Sequence, residues 1–355
     1  MRFDLTDEQK ALRDMLTAFS RERFGAAELV EATRDTGLDR DLWGTLGELG
    51  LGLTMVPSEH DGLDGDLLTL AVIAETLGHY AVPAPVVPVI LAAWLVARAG
   101  DDGQRARWLE PLTSGGAVAA FALAEEGGWT ESAWTIEALP RISGRKLYVE
   151  RGDEADLLIV GLKGGRMALV DAKSAGVSFM PIDTNDRTRP LCEVAFENAE
   201  AGLLGDAEIV EALIDALLVG HAAGALGAAS AGQERAVTYA MERKQFGQLI
   251  GSFQALKHQL ADMSVEIEPA RSLVWYAAHA WDTGRDDRRR MAALAKAHLG
   301  DIAVATSRNS IEAHGGIGYT WEHPMHIFLK RAMHDRTAMG DSAFHRERVA
   351  QLSDW

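Results

Sequence analysis

The chain has 355 residues, 47% of them hydrophobic, which is enough for a sizeable core spread over two or three domains. Its formal net charge is −17, a balance that argues against nucleic acid or an anionic membrane surface as partner, since both call for a basic patch. The single cysteine, Cys192, leaves no intrachain disulfide and no cysteine-based zinc site, so no metal is expected.

Residues 1–119 read as a helical domain. Thr6 precedes an amphipathic segment with Leu12, Leu16 and Phe19 in phase, and Asp7 and Glu8 suit its first turn. A second short helix covers 42–51 and is ended by glycines; Gly62 and Gly65 mark a turn. Residues 67–77 are apolar on nearly every side except Glu75, the pattern of a core helix. Pro83, Pro85 and Pro88 lead into a helix over 90–99. They also interrupt the longest apolar run, 81–97, so no transmembrane span is expected. No charged-then-apolar signal opens the sequence, and the cytoplasm is the expected compartment.

Residues 120–204 read as a small β domain. The runs VAAFALAEE, RKLYVERG, DLLIVGLK, RMALVDAK and EVAFENA are short strands, and Gly164–Gly165 is a hairpin signal. From 205 to 355 the pattern is helical again. Residues 209–240 are rich in Ala and Gly, and apolar nearly all round between 216 and 229, so this helix must be enclosed by others. Further helices over 263–280, 291–312 and 328–333, with the tail, complete a bundle of at least four. The basic cluster 285–290 is a solvated helix junction.

Two stretches in the last domain carry chemistry. The first, YAMERKQFGQLIGSFQALKHQLADM, places Arg243, two glycines and two glutamines around Phe246, between helical runs, with Ser252 as N-cap of the second run. Arg offers a rigid fork of donors and Gly lets backbone N–H approach closely, a combination suited to a phosphate. Taken alone it reads first as an ordinary helix–helix corner with a surface Arg. The second is IEAHGGIGYTWEHP, residues 311–324.

As a pair, RKQFG…FQ and HGGIGYTWE resemble the acyl-CoA dehydrogenase family of flavoproteins, and the resemblance extends over essentially the whole chain. It implies an α+β, mainly α fold: an N-terminal helical domain, a small middle β domain and a C-terminal bundle. It implies FAD, an acyl-CoA substrate, an electron-transfer flavoprotein or similar acceptor, and a homo- or hetero-tetramer. The implied reaction removes the α-proton of a thioester to a carboxylate while a hydride leaves the β-carbon for the flavin. Arg243, Gln245 and Phe246 would contact the pyrophosphate and adenine end of an FAD held mainly by a neighbouring subunit. Phe253 and Gln254 open the next helix beside it, and Gly315 and Gly316 would let the backbone meet the phosphates. Glu312 stands where the family usually has Gln, and a carboxylate beside a pyrophosphate is repelled.

By the same resemblance the flavin ring would lie against the β domain. The segment 121–125 matches the strand whose backbone bonds the ring, through Leu123 and through Ala124 where Thr is usual. Tyr148 takes the place of the aromatic that packs on the ring, and Glu150 that of a Thr at the flavin edge. Read without the resemblance, Tyr148 is an ordinary core aromatic.

The family's commonest position for the catalytic Glu corresponds to Met339, and the alternative position to Leu217. Neither takes a proton. Asp341 and His221 are nearby candidates, with Glu150 a third. The plain readings are that Asp341 is an N-cap and His221 a satisfied polar residue inside the bundle. A missing Glu fits the shorter subunit of bacterial heterotetrameric acyl-CoA dehydrogenases, some of which serve bulky thioesters such as steroid side chains. The alternatives are a self-sufficient homo-oligomer using Asp341, a flavin monooxygenase or oxidase, and a non-catalytic scaffold.

Overall fold

A capping box opens the first helix, α1 (Asp7–Arg23): the Thr6 hydroxyl accepts from Gln9 N–H, and Gln9 reaches back to the Thr6 N–H. The structure is a computed structural model of the chain and describes residues 4–137 and 140–353. After α1 come α2 (Ala26–Ala32), α3 (Arg40–Glu48), α4 (Leu67–His79), α5 (Val86–Ala99) and α6 (Asp102–Ser114). Strands β1 (Ala119–Ala122), β2 (Arg141–Glu150), β3 (Leu157–Leu162), β4 (Arg166–Asp171), β5 (Val177–Ile182), β6 (Leu191–Glu200) and β7 (Gly202–Leu204) follow. The long α7 (Ala207–Glu242), a two-stranded ribbon of β8 (Lys244–Gln245) and β9 (Gln248–Leu249), and α8 (Gln254–Asp282), α9 (Arg288–His314), α10 (Met325–Thr337) and α11 (Ser342–Gln351) complete the chain.

Contacts divide these elements into two compact units. The first takes Met1–Asp35, Ala71–Val82 and Leu218–Trp355; the second takes Thr36–Leu70 and Pro83–Leu217. In the first, α9 packs against α8, α10 and α11. Small residues on α7 let backbones meet: a Cβ on Gly227 would fall 2.0 Å from the Glu75 carbonyl oxygen, and one on Gly78 would fall 2.3 Å from that of Gly224. Such approach accounts for the Ala- and Gly-rich composition of this helix. Its most apolar window has a mean hydropathy of 1.7, long and apolar enough to cross a membrane, yet 78% of that window is buried within the protein. A buried Arg331 donates to the Val82 carbonyl at 3.1 Å, tying α10 to the end of the 71–82 segment.

In the second unit the strands form a four-stranded sheet, β1-β3-β4-β7, and a three-stranded sheet, β2-β6-β5. β1 pairs in parallel with β3, and β3 returns antiparallel into β4. The turn between them holds Gly164 and Gly165 at φ 82° and 69°, left-handed values that glycine adopts without strain. β3 is buried along its whole length, hence its unbroken apolar run. Cys192 is buried, and burial pushes its thiol up to about 12, the behaviour of a small hydrophobe.

Several local expectations change. α5 starts at Val86, with Pro88 inside its first turn, where a missing N–H costs nothing. α8 begins after Phe253, so Ser252 is not its cap; the Ser252 hydroxyl donates to Leu249 O at 2.6 Å instead. The helices α2 and α6 and the strands β5 and β7 are additional elements.

Candidate functional site

The Arg243–Ser252 segment is an exposed ribbon rather than a compact loop between buried ends. β8 and β9 pair Gln245 with Gln248, leaving Phe246 and Gly247 at the tip with φ 52° and 79°. Gly takes this geometry freely; for Phe246 it is an outlier, the kind of backbone strain that persists where surroundings or function demand it. Phe246 is 93% exposed, and its ring meets Phe253 edge-on at 6.2 Å between centroids. Arg243 is exposed; its N–H bonds Tyr239 O at 2.9 Å and its carbonyl accepts from Ile250 N–H at 2.8 Å. Gln245 Nε2 folds back onto Lys244 O at 2.8 Å, and Gln254 opens α8.

The second motif meets the first at the same end of the bundle. His314, the last residue of α9, stacks on Tyr239 of α7 at 4.7 Å, four residues before Arg243. Its Nδ1 lies 2.7 Å from Ser310 O, and burial holds its pKa below the ordinary histidine value. Beyond it, Gly315 turns with φ 65°, and a Cβ on Gly315 or Gly316 would meet nothing within 4 Å. The backbone at these two glycines is therefore uncovered by side chains, at the same end of the bundle as the exposed Arg243. Those features fit the phosphates of the dinucleotide that the family resemblance implies. Glu312, exposed on the last turn of α9, is the dissenting residue; it accepts from Gln259 Nε2 at 3.2 Å.

A separate surface lies in the second unit. Leu123 is buried, Ala124 half-buried, and Leu147 N–H donates to Ala124 O at 2.8 Å. The register between β2 and β6 shifts between Lys146 and Val149, a bulge that holds Tyr148 at φ 55°. Strict alternation would point Tyr148 to the same side as the buried Lys146. The bulge sends Val149 inward and leaves Tyr148 64% exposed, so Tyr148 is not a core residue. Glu150, at the end of β2, lies 3.9 Å from Arg189 Nε. An open aromatic on a strained bulge, one residue past the Leu147 that pairs with Ala124, offers a flat ring a face to pack on.

The proton-transfer candidates are all engaged. Asp341 is the N-cap of α11, with Oδ1 accepting from Phe344 N–H at 2.8 Å. His221 Nδ1 stands 3.2 Å from Oδ1 of Asp335, a carboxylate 1% exposed that sequence reasoning did not single out. Met339 and Gly340, at φ 54° and 97°, form a left-handed turn pinned from beneath. Lys296 Nζ donates to Arg336 O at 3.2 Å and Gly340 O at 2.9 Å, and His345 Nε2 donates to Met339 O at 2.8 Å. Burial pulls Lys296 down to about 8 and, with Lys296 beside it, His345 down to about 4. Leu217 is 4% exposed in α7. Among the described residues, no group of three or more His, Cys, Asp or Glu is placed to hold a metal.

Residues 6–116 match the acyl-CoA dehydrogenase N-terminal domain and residues 210–353 the acyl-CoA dehydrogenase C-terminal domain. Acyl-CoA dehydrogenase IpdE2 of Mycobacterium tuberculosis is 32% identical over 329 residues, covering 92% of this chain and 91% of the relative. Among solved structures, a chain described as electron transferring flavoprotein of Acidaminococcus fermentans is 30% identical with a TM-score of 0.92, covering 100% of both chains. A chain of the Tcur3481-Tcur3483 steroid ACAD is 28% identical with a TM-score of 0.90, covering 98% of this chain and 97% of the other.

Proposed function

The chain belongs to the acyl-CoA dehydrogenase family, FAD-dependent enzymes that act on the CH–CH group of acyl-CoA donors, and from that premise we propose that it works as the subunit lacking its own catalytic carboxylate. The observation that carries the reading is chemical: Met339 and Leu217 stand at the two positions where the family resemblance puts the base, while the ribbon and the Gly315–Gly316 turn keep the features of a phosphate grip. Arg243 and the Gly315–Gly316 backbone hold the pyrophosphate. Gln245, Phe246, Phe253 and Gln254 line its adenine side. Leu123, Ala124, Tyr148 and Glu150 orient the flavin ring. FAD supplies the hydride acceptor. The α-proton goes to a carboxylate on a related chain, because the side chains at 339 and 217 have no basic atom.

The same reading assigns an acyl-CoA substrate, with electrons passed to an electron-transfer flavoprotein or a similar acceptor. A related dehydrogenase subunit completes a tetramer in the cytoplasm. The likeness to the Tcur3481-Tcur3483 steroid ACAD supports a steroid side chain over a short fatty acyl chain, within a β-oxidation sequence. We divide the chain at residues 119 and 204, since β1 to β7 all fall in the middle segment or at its edge.

The competing assignment makes Asp341 the base of a self-sufficient enzyme. Its carboxylate is occupied as a helix cap, and Asn caps a helix as well as Asp. Asp341→Asn should therefore leave both folding and the assembly's turnover within about twofold of wild type. A general base contributes some 10²–10⁴-fold, so a loss of that size would give the role to Asp341.

A further inference from the structure

Lys146 has no solvent contact. Its ammonium donates to Glu125 Oε1 at 2.6 Å and to the Leu123 carbonyl at 3.2 Å, and lies 5.3 Å from the Trp134 ring centroid. Glu125 is 7% exposed, and its other oxygen accepts from the Thr135 backbone N–H at 2.9 Å and from the Thr135 hydroxyl. Desolvating two charges costs about as much as their attraction returns, so stability alone does not explain the pair; apolar residues of similar size would serve as well. What apolar residues would not supply is direction.

The cation sits on the oxygen of the Leu123–Ala124 peptide. The nitrogen end of that same peptide is the Ala124 N–H. A cation on the carbonyl oxygen draws electron density through the amide and strengthens the N–H as a donor. The Ala124 carbonyl is fixed in turn by Leu147 N–H, one residue before the bulge that exposes Tyr148. We propose that Lys146, set in place by Glu125 and Thr135, is a positioning residue for the flavin: it orients and polarises the Leu123–Ala124 peptide so that Ala124 N–H donates to the ring edge that gains negative charge on reduction. This rests on the reading that the end of β1 is the flavin surface. Burial lowers the ammonium to about 8, partly offset by Glu125, so it stays charged at neutral pH.

A redox titration of the FAD-loaded protein, in whichever assembly takes up FAD, tests it. Lys146→Met is paired with Glu125→Gln, because the lysine change alone would strand a buried carboxylate. The double variant should still take up oxidised FAD. Its preference for reduced over oxidised flavin should fall about tenfold, lowering the midpoint potential by about 30 mV for a two-electron couple. Thr135→Val loosens only Glu125 and should move the potential the same way by about threefold, or about 15 mV; it decides the matter if the double variant does not fold. Bound FAD with an unchanged potential in these variants overturns the role of Lys146 while leaving the flavin surface in place. A wild-type protein that binds no FAD in either assembly overturns the flavin surface itself.

Discussion

Arg243→Ala is expected to weaken FAD binding by roughly ten- to a hundredfold, the range of a charge-assisted hydrogen bond to phosphate, while leaving the fold intact. The side chain is exposed, and it is the Arg243 backbone that closes the ribbon, through Tyr239 O and Ile250 N–H. Alanine keeps both of those bonds. Arg243→Lys should fall between, since an ammonium retains the charge and loses the planar fork. Fluorescence titration with FAD at two ionic strengths gives the numbers. Wild-type affinity should fall with added salt and the alanine variant's should fall less. A loss under twofold would remove Arg243 from the phosphate site and return the ribbon to an ordinary helix corner.

The second large effect is acid sensitivity centred on the turn at 336–341. His345 is fully buried, with Nε2 donating to Met339 O, and its folded pKa is about 4. An unfolded histidine titrates near 6.5, so between those values the unfolded chain binds the extra proton and stability falls as pH drops. The full difference amounts to about 3 kcal/mol. His323, also at about 4 through burial and the neighbouring His314, acts in the same window and the same direction. His345→Gln can keep an N–H donor for Met339 O and cannot titrate. Its stability relative to wild type should therefore improve steadily between pH 6.5 and 4.5 in urea denaturation. A constant difference across that window would show that His345 is not held neutral.

Much of the architecture was legible because its causes are local. Thr6 with Asp7 and Glu8 announces the first helix, two adjacent glycines the β3–β4 turn, and an Ala- and Gly-rich run the enclosed helix. The α6 helix was equally readable, since Asp101 and Gln104 form a capping box at the spacing of Thr6 and Gln9. β5 offered less: its exposure alternates and Pro181 interrupts it, so no apolar run marks it. Ser252 misled because a cap residue is defined by backbone geometry, and here the chain enters α8 through Phe253.

Legibility of the site divides differently. The motif residues of the ribbon and the glycine turn lie at one end of the bundle, joined through Tyr239 and His314. Tyr148 is exposed only because of a bulge, and nothing in the alternation of β2 reveals one. Lys146 and Asp335 were passed over for a related reason. A charged residue in a strand or helix reads as solvated until its partner is known, and Glu125 and His221 lie far away in sequence. The one sequence hint for Lys146 is its period-two spacing from the buried Ile142.

The measurement that bears most directly on the missing base is FAD content and acyl-CoA-dependent bleaching, on this chain purified alone and then co-purified with a related dehydrogenase subunit. A base-less subunit should show no bleaching alone, and about half an FAD per chain with full bleaching in the joint assembly. One FAD per chain, bleached by an acyl-CoA thioester with no partner present, would contradict the account and send the search for a base to Asp341 and His221.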